Sequence, residues 1–243
     1  MSESRFPLYL LAGGRDSIRS RGPDPLLQEM VRRTGIRRPR VAYVGAASGD
    51  NAAFRLLIGA MLAKAGTGNV ILAPLCGRRA KVEKAREVLE AADIVFVSGG
   101  DVEEGMRVLS EKGMVSFLRG LYKAGKPFFG VSAGSIMLAR SWIRWADPRD
   151  DSSAELFPCL GIAPVLCDTH GEADGWGELR AALALRPVGA VGYGIVSGSA
   201  LVIESDGSVA ASGGEVHVFR RRKAGVAQVE SLLPSAHAPL EKQ

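Results

Sequence analysis

The sequence has no apolar run near the ~18 residues that a membrane span requires. Residues Met1–Arg5 are not a basic segment followed by a long apolar stretch, so we predict no signal peptide. These two absences make the cytoplasm the expected location and argue against a membrane as a partner.

Cysteine is scarce, with only Cys76, Cys159 and Cys167 in the chain. Three cysteines cannot all pair, and their spacing fits no disulfide framework. Cys167 and His170 stand close in sequence, but two ligands are too few for a closed metal site. We therefore expect reduced, mostly buried thiols, no metal and no cofactor.

Aromatic residues make up only 6% of a chain whose net charge is +5. The positive charge is concentrated in the first 40 residues and in the run Arg220–Lys223. Neither segment has the aromatic interleaving of proteins that bind single-stranded nucleic acids. We interpret the basic segments as solvated faces and predict no nucleic-acid partner. The 47% hydrophobic and 23% charged residues are typical of a soluble globular chain.

Short apolar segments alternate with segments of helical periodicity through the first 140 residues. Predicted strands cover residues 6–11, 41–44, 70–73, 93–97 and 127–131, and another covers 164–167. Unbroken apolar strands alternating with helices predict a three-layer α/β/α fold around a mostly parallel sheet. After residue 200, the turn Asp206-Gly207 and the alternating Val216 and Val218 predict antiparallel strands at the end of that sheet. We find no linker and predict one domain over residues 1–243.

Several predicted strands end in loops of Gly, Ala and Ser, where open α/β sheets bind their ligands. One of these loops is Gly130-Val131-Ser132-Ala133-Gly134, which fits the pattern G-x-S-x-G between a strand and a helix. In that setting the serine lies on a sharp turn with its hydroxyl exposed above the sheet. The N–H of Ala133 would then point to where an acyl oxyanion forms. We interpret Ser132 as a nucleophile, the alternative being a structural turn.

A nucleophilic serine needs a base, and the chain offers three histidines. His237 lies in a polar, proline-flanked tail, and His217 lies in an alternating segment opposite the valines. His170 follows an apolar strand and opens a polar loop, so it is the best candidate by elimination.

A third group, a carboxylate, would fix the tautomer of that histidine. The spacing His170-Gly171-Glu172 is the H-x-E arrangement of glutamine amidotransferases and favours Glu172. The residues alone leave the choice open among Asp147, Asp150, Asp151, Glu155, Asp168 and Glu172.

Three segments together resemble the dipeptidase E and cyanophycinase family of serine peptidases. They are the G-x-S-A-G loop of Ser132, the turn Ser98-Gly99-Gly100-Asp101, and Cys167-Asp168-Thr169-His170. The likeness extends from Leu10–Gly14 to Gly213–Val218. It implies a fold similar to that of class I glutamine amidotransferases, with serine in place of their cysteine.

The resemblance also implies roles for individual residues. Ser132 matches the nucleophile of the family and His170 its base, while Gly99 or Gly100 matches a second oxyanion donor. The spacing in dipeptidase E makes Asp147 the first choice for the acid, and Asp150 and Glu172 remain alternatives.

The chain departs from the family in its substrate-binding segments. Cyanophycinases carry arginines after the histidine, whereas residues 171–179 here are acidic and contain none. Val102 replaces the glutamine that follows the Gly-Gly-Asp turn, so we do not expect cleavage of cyanophycin. Dipeptidase E prefers an N-terminal aspartate, which requires a cation. Arg140, Arg144 and Arg180 are possible sources of that cation, and Asp101, Arg140 and Arg144 are the candidate substrate-binding residues. The acidic loop could instead bind an amino terminus or a basic side chain.

Three functions remain in view. The leading prediction is a serine peptidase, a dipeptidase or exopeptidase, that acts on a small peptide through an acyl-enzyme on Ser132. A second is an amidase or glutaminase-like hydrolase on the same fold. A third is a non-catalytic protein that binds a small molecule. The oligomeric state is undetermined, with a homodimer left open.

Overall fold

The computed structural model describes residues 6–13, 22–147 and 149–234. Its strands are β1 Leu8–Leu11, β2 Val41–Val44, β3 Val70–Leu72, β4 Ile94–Val97, β5 Phe128–Val131, β6 Ser141–Trp145, β7 Ala154–Pro158, β8 Leu166–Thr169, β9 Val191–Ile195, β10 Ala200–Ile203, β11 Val209–Ser212, β12 Val216–Arg222 and β13 Gly225–Gln228. Its helices are α1 Pro25–Arg33, α2 Ala52–Lys64, α3 Val82–Ala91, α4 Val102–Glu111, α5 Met114–Lys123, α6 Ala133–Leu138 and α7 Gly177–Ala184.

The central sheet has seven strands in the order β11-β10-β1-β5-β4-β2-β3. Five of these strands, β1, β5, β4, β2 and β3, pair in parallel with their neighbours in that order. β10 and β11 extend the sheet as antiparallel strands beside β1. The predicted parallel sheet with antiparallel strands at its end is therefore confirmed.

Helices cover both faces of this sheet because its strands are apolar on both faces. In β1, Leu8 and Leu10 pack into one cluster with residues of α3 to α6. Tyr9 and Leu11 point the other way and pack with residues of α1 and α2. The alternation follows from the two-residue period of a strand and produces the three predicted layers.

Two smaller sheets differ from the expectation. Val216 and Val218 belong to β12, which lies in a separate four-stranded sheet, β13-β12-β9-β8, and not at the end of the main sheet. β6 and β7 form a two-stranded hairpin that we did not predict. Residues 146–153 connect its strands, so the short Gly-containing turn that marks a hairpin in sequence is missing.

Other expectations meet the structure only in part. Cys159 and Cys167 are buried free thiols and Cys76 is a half-buried one. No helix within the described ranges is long and apolar enough to cross a membrane. Met1–Arg5 and His237 lie outside the described residues, and the one-domain organisation stays a prediction.

Candidate active site

Ser132 lies on the turn between β5 and α6, as the G-x-S-x-G motif predicts. Its backbone has φ 52° and ψ −126°, a conformation that costs a non-glycine residue free energy. The Ser132 N–H donates a hydrogen bond to the carbonyl oxygen of Leu11 at 2.9 Å, which anchors the turn to β1. The backbone thus holds the hydroxyl at the carboxyl end of the sheet.

The glycines of the motif are required by close packing. A Cβ on Gly134 would lie 2.1 Å from the carbonyl oxygen of Val97 in β4. A Cβ on Gly130 would lie 2.7 Å from the amide nitrogen of Ser135. Because backbone atoms occupy both positions, any side chain there would push the start of α6 away from the sheet.

His170 follows β8 and meets Ser132 across the gap between the two larger sheets. Its Nε2 lies 2.8 Å from the Oγ of Ser132. The backbone of His170 has φ 47°, and its backbone N–H donates to the carbonyl oxygen of Ile195 at 3.0 Å. An unprotonated Nε2 in this position can accept the proton of the serine hydroxyl.

Glu172 lies on the short turn Glu172–Asp174 and faces the same cavity as Ser132 and His170. Its Oε1 accepts a hydrogen bond from the N–H of Ser197 at 2.6 Å. Burial raises its pKa, but the hydrogen bonds from Ser197 and the nearby His170 outweigh burial and lower the pKa below its usual range. Glu172 therefore presents a negative charge close to His170.

The structure does not bring Asp147 or Asp150 to His170. Both lie in the connection between β6 and β7, where the side chain of Asp147 is 59% exposed. Asp147 Oδ1 accepts from the N–H of Arg149, and Asp150 Oδ1 accepts from the N–H and hydroxyl of Ser152. The hydroxyl of Ser152 holds the pKa of Asp150 below its usual value. A catalytic role for either carboxylate stays a prediction without a supporting contact.

Of the three predicted oxyanion donors, Gly99 and Gly100 line the cavity of Ser132, and Ala133 follows Ser132 directly in the chain. Within the described residues, the N–H groups of Gly99, Gly100 and Ala133 donate to no protein acceptor. A Cβ on Gly99 would lie 3.6 Å from the Oγ of Ser132, so this backbone passes directly beside the nucleophile. Free N–H groups at this position are the arrangement that stabilises an oxyanion.

The three candidate substrate-binding residues lie elsewhere. Asp101 caps α4 by accepting from the N–H of Glu104 at 2.8 Å. Arg140 lines a separate cavity of about 250 Å³. Arg144 pairs with Glu155 at 2.6 Å on the hairpin surface. None of the three lines the cavity of Ser132, and their predicted role has no support from this geometry.

The cavity that contains Ser132 has a volume of about 870 Å³ and is mainly apolar. A cavity of this size is within the range of small-molecule sites. Its described lining comprises Leu11, Ala12, Gly13, Asp24, Leu27, Phe54, Ile58, Met61, Phe96, Gly99, Gly100, Val131, Ser132, His170, Glu172, Ala173 and Ser197.

Two features of this cavity were not predicted from the sequence. Ser197, whose N–H holds Glu172, carries no motif that could have revealed it. Phe54, Ile58 and Met61 lie at helical spacing, which indicates only an apolar helix face, and the structure shows that they line the cavity as well as pack in the core. In the described part of the chain, no group of three or more His, Cys, Asp or Glu side chains is placed to hold a metal.

Asp168 is a second unusual carboxylate near His170. It is only 7% exposed, and its Oδ1 accepts a hydrogen bond from the N–H of Thr169. Burial raises its pKa to about 7, with further contributions from the negative charges of nearby carboxylates. It lies in β8, two residues before His170, so its ionisation changes the charge close to His170 in the chain.

This chain is similar in sequence and in fold to known proteins. The model of peptidase family S51 matches residues 8–210 of this chain. The crystal structure of a peptidase from an acI-B1 Actinobacterium shares the fold with a TM-score of 0.65, at 15% identity over 96% of this chain and 98% of that chain.

Curated relatives match a shorter part of the chain. The pyridoxal 5'-phosphate synthase subunit PdxT of Geobacillus stearothermophilus is 25% identical over 134 residues, which are 55% of this chain and 63% of that protein. The PdxT subunit of Anoxybacillus flavithermus (strain DSM 21510 / WK1) is 33% identical over 113 residues, 46% of this chain and 54% of its own length. The chain thus spans less than two thirds of the length of these two relatives.

Proposed function

This chain belongs to peptidase family S51, and we propose that it is a serine-type exopeptidase that hydrolyses short peptides, dipeptides among them, through an acyl-enzyme on Ser132. The observation that carries the proposal is the 2.8 Å contact between Ser132 Oγ and His170 Nε2 on a strained turn inside the large cavity.

The reaction follows from these positions. Ser132 Oγ attacks the carbonyl carbon of the scissile bond while His170 Nε2 takes the hydroxyl proton. The N–H groups beside Ser132 receive the developing oxyanion, and each such donor is worth about a hundredfold to a thousandfold in rate. The C–N bond then breaks as His170 gives its proton to the leaving amine. Water, deprotonated by His170, attacks the ester carbonyl and releases the acid and free Ser132.

We assign the third position to Glu172. Once His170 takes the serine proton it carries a positive charge, and the ionised carboxylate of Glu172 stabilises that charge. The hydrogen bond from Ser197 fixes the orientation of this carboxylate. A small peptide as the substrate, no nucleic-acid or membrane partner, and a cytoplasmic location complete the proposal.

An amidase is the second candidate. It is favoured by the placement of Glu172 two residues after His170, the H-x-E spacing of glutamine amidotransferases, with both side chains facing the cavity. Glutamine and other primary amides therefore belong in the same assay as the dipeptides.

The test is hydrolysis of a mixed panel by the purified protein, with products identified by mass spectrometry. The panel contains Asp-X, isoaspartyl-X, Arg-X, Leu-X and other uncharged dipeptides, together with the amides. We expect turnover of dipeptides that falls by about 10⁴-fold or more in Ser132→Ala. Ser110→Ala, an exposed serine on α4, is the matched control and should keep full activity.

Turnover that survives in Ser132→Ala would refute the acyl-enzyme. Release of ammonia from amides without cleavage of any dipeptide would favour the amidase. If Ser132 stayed unlabelled by fluorophosphonates and no substrate were cleaved, the protein would be a binding protein for a small molecule.

A further inference from the structure

The walls of the Ser132 cavity differ in polarity from one side to the other. One wall is apolar and consists of Leu27 of α1 together with Phe54, Ile58 and Met61 of α2. A second, polar wall comes from the loops that follow β8 and β9 and contains His170, Glu172 and Ser197. Phe96 of β4 also lines the cavity and packs in the same apolar cluster as Leu27 and Ile58. A substrate held at Ser132 therefore contacts a hydrophobic surface on one side only.

Apart from His170, the described lining of the cavity carries ionisable side chains of one sign only. These side chains are Asp24 and Glu172, and both are carboxylates. Asp24 Oδ1 already accepts from the N–H groups of Leu26 and Leu27, as the cap of α1. Neither carboxylate can neutralise an acidic substrate side chain, and transferring a carboxylate into an apolar site without a cation costs free energy.

The chemistry of the reaction decides which half of the substrate meets the apolar wall. His170 must face the leaving amine, because it donates the proton to that nitrogen. The leaving half thus lies toward the polar wall. The acyl half lies on the other side of Ser132, toward Gly99 at the end of β4 and toward α2, which follows the neighbouring strand β2.

From this arrangement we infer that the apolar wall selects the side chain of the residue whose carbonyl Ser132 attacks, and that this side chain is large and apolar, such as leucine, methionine or phenylalanine. The inference rests on the proposed peptidase function. A single methylene in a hydrophobic pocket changes kcat/KM by about tenfold to two-hundredfold, so the preference over alanine should exceed tenfold. Aspartate, which carries a negative charge, should be disfavoured at least as strongly.

The test uses diphenyl aminoalkylphosphonates that carry the side chains of leucine, phenylalanine, alanine or aspartate. Ser132 Oγ forms a bond to phosphorus, one P–O bond to a phenoxide breaks, and the serine proton passes through His170 to that phenoxide, which leaves as phenol. Mass spectrometry of Ser132 gives the second-order rate constant for each probe. We expect the leucine and phenylalanine probes to react at least about tenfold faster than the alanine and aspartate probes.

A pair of variants on one helix tests the wall itself. Met61→Arg places a cation in the apolar wall and should lower the ratio of leucine to aspartate rate constants by about tenfold or more. Leu56 is 65% exposed on α2 and does not line the cavity, so Leu56→Arg adds the same charge outside the cavity and should leave the ratio unchanged.

The outcomes separate the inference from the function beneath it. Labelling of Ser132 with the aspartate probe fastest, or with equal rates for all side chains, would overturn the inference and leave the peptidase intact. An equal effect of Met61→Arg and Leu56→Arg would also overturn it. No labelling by any probe, together with no dipeptide hydrolysis, would overturn both.

Discussion

Two loops after Ser132 carry carboxylates, and the fold uses them differently. The His170 loop, residues 170–174, follows β8 and contains Glu172, and Asp168 lies in β8 just before it. The hairpin loop, residues 146–153, connects β6 to β7 and contains Asp147 and Asp150. The first loop faces the cavity of Ser132, whereas the second lies on the surface with Asp147 59% exposed.

The hydrogen bonds of these carboxylates explain the difference. Asp147 and Asp150 accept from backbone N–H groups two residues ahead, the local turn pattern of aspartate. Glu172 instead accepts from Ser197, which lies far along the chain between β9 and β10. A carboxylate that closes its own turn stabilises a loop, while one held by a distant backbone group is free to serve a neighbouring site.

The largest difference expected between the two loops concerns which of them supplies the catalytic carboxylate. Glu172→Gln removes the negative charge near His170 and should lower kcat about a hundredfold to a thousandfold. This is less than the roughly 10⁴-fold loss known for an acid bonded directly to the histidine. Asp147→Asn should change kcat by less than twofold, measured on the best dipeptide of the panel. The reverse order of effects would restore Asp147 as the acid.

The second prediction compares how the buried carboxylate of Asp168 and the exposed carboxylate of Asp147 affect the pH dependence of stability. The pKa of Asp168 is raised from 3.8 to about 7, so between those values the folded protein keeps a proton that the unfolded chain has lost. The contribution of Asp168 to the stability of the wild type should therefore fall as pH rises from about 4 to 7. Asp168→Asn carries no titrating group and avoids this loss.

The measurement is the Tm of Asp168→Asn minus that of the wild type, recorded across this pH range. The difference should increase with pH and level off above about 7. Asp147→Asn, in the exposed loop, is the control and should show a constant difference. A constant difference for both variants would mean that Asp168 is already ionised at pH 4.

The smallest effect tests whether the hairpin serves only structure. Arg144→Ala removes exposed ion pairs to Glu155 at 2.6 Å and Glu103 at 3.3 Å. Such pairs contribute about 1 kcal/mol or less, so denaturant unfolding should shift slightly and kcat/KM should stay the same. A tenfold loss of kcat/KM confined to aspartyl dipeptides would give Arg144 the substrate-binding role that the sequence suggested.

Local patterns predicted the parts of this protein that depend on local physics. The buried strand at Val41–Val44 is a continuous apolar run, and the turn at Ser132 follows from its flanking glycines. The hairpin lacks the short Gly-containing turn that marks one in sequence, and the partner of Glu172 lies 25 residues further along the chain, so no local pattern indicated either. Helical spacing identified Phe54 and Ile58 as apolar positions, but it cannot distinguish a residue that fills a core from one that lines a cavity.

The nucleophile and its base belong to different sheets, with Ser132 following β5 of the central sheet and His170 following β8 of the four-stranded one. The connection from β9 to β10 joins these sheets, where Ala12 N–H donates to Ser199 O at 3.0 Å and Gly198 N–H donates to Gly13 O at 2.7 Å. Proton transfer over 2.8 Å tolerates little displacement. Turnover therefore depends on the relative position of the two sheets. A small shift of one sheet against the other would stop turnover while both sheets stayed folded.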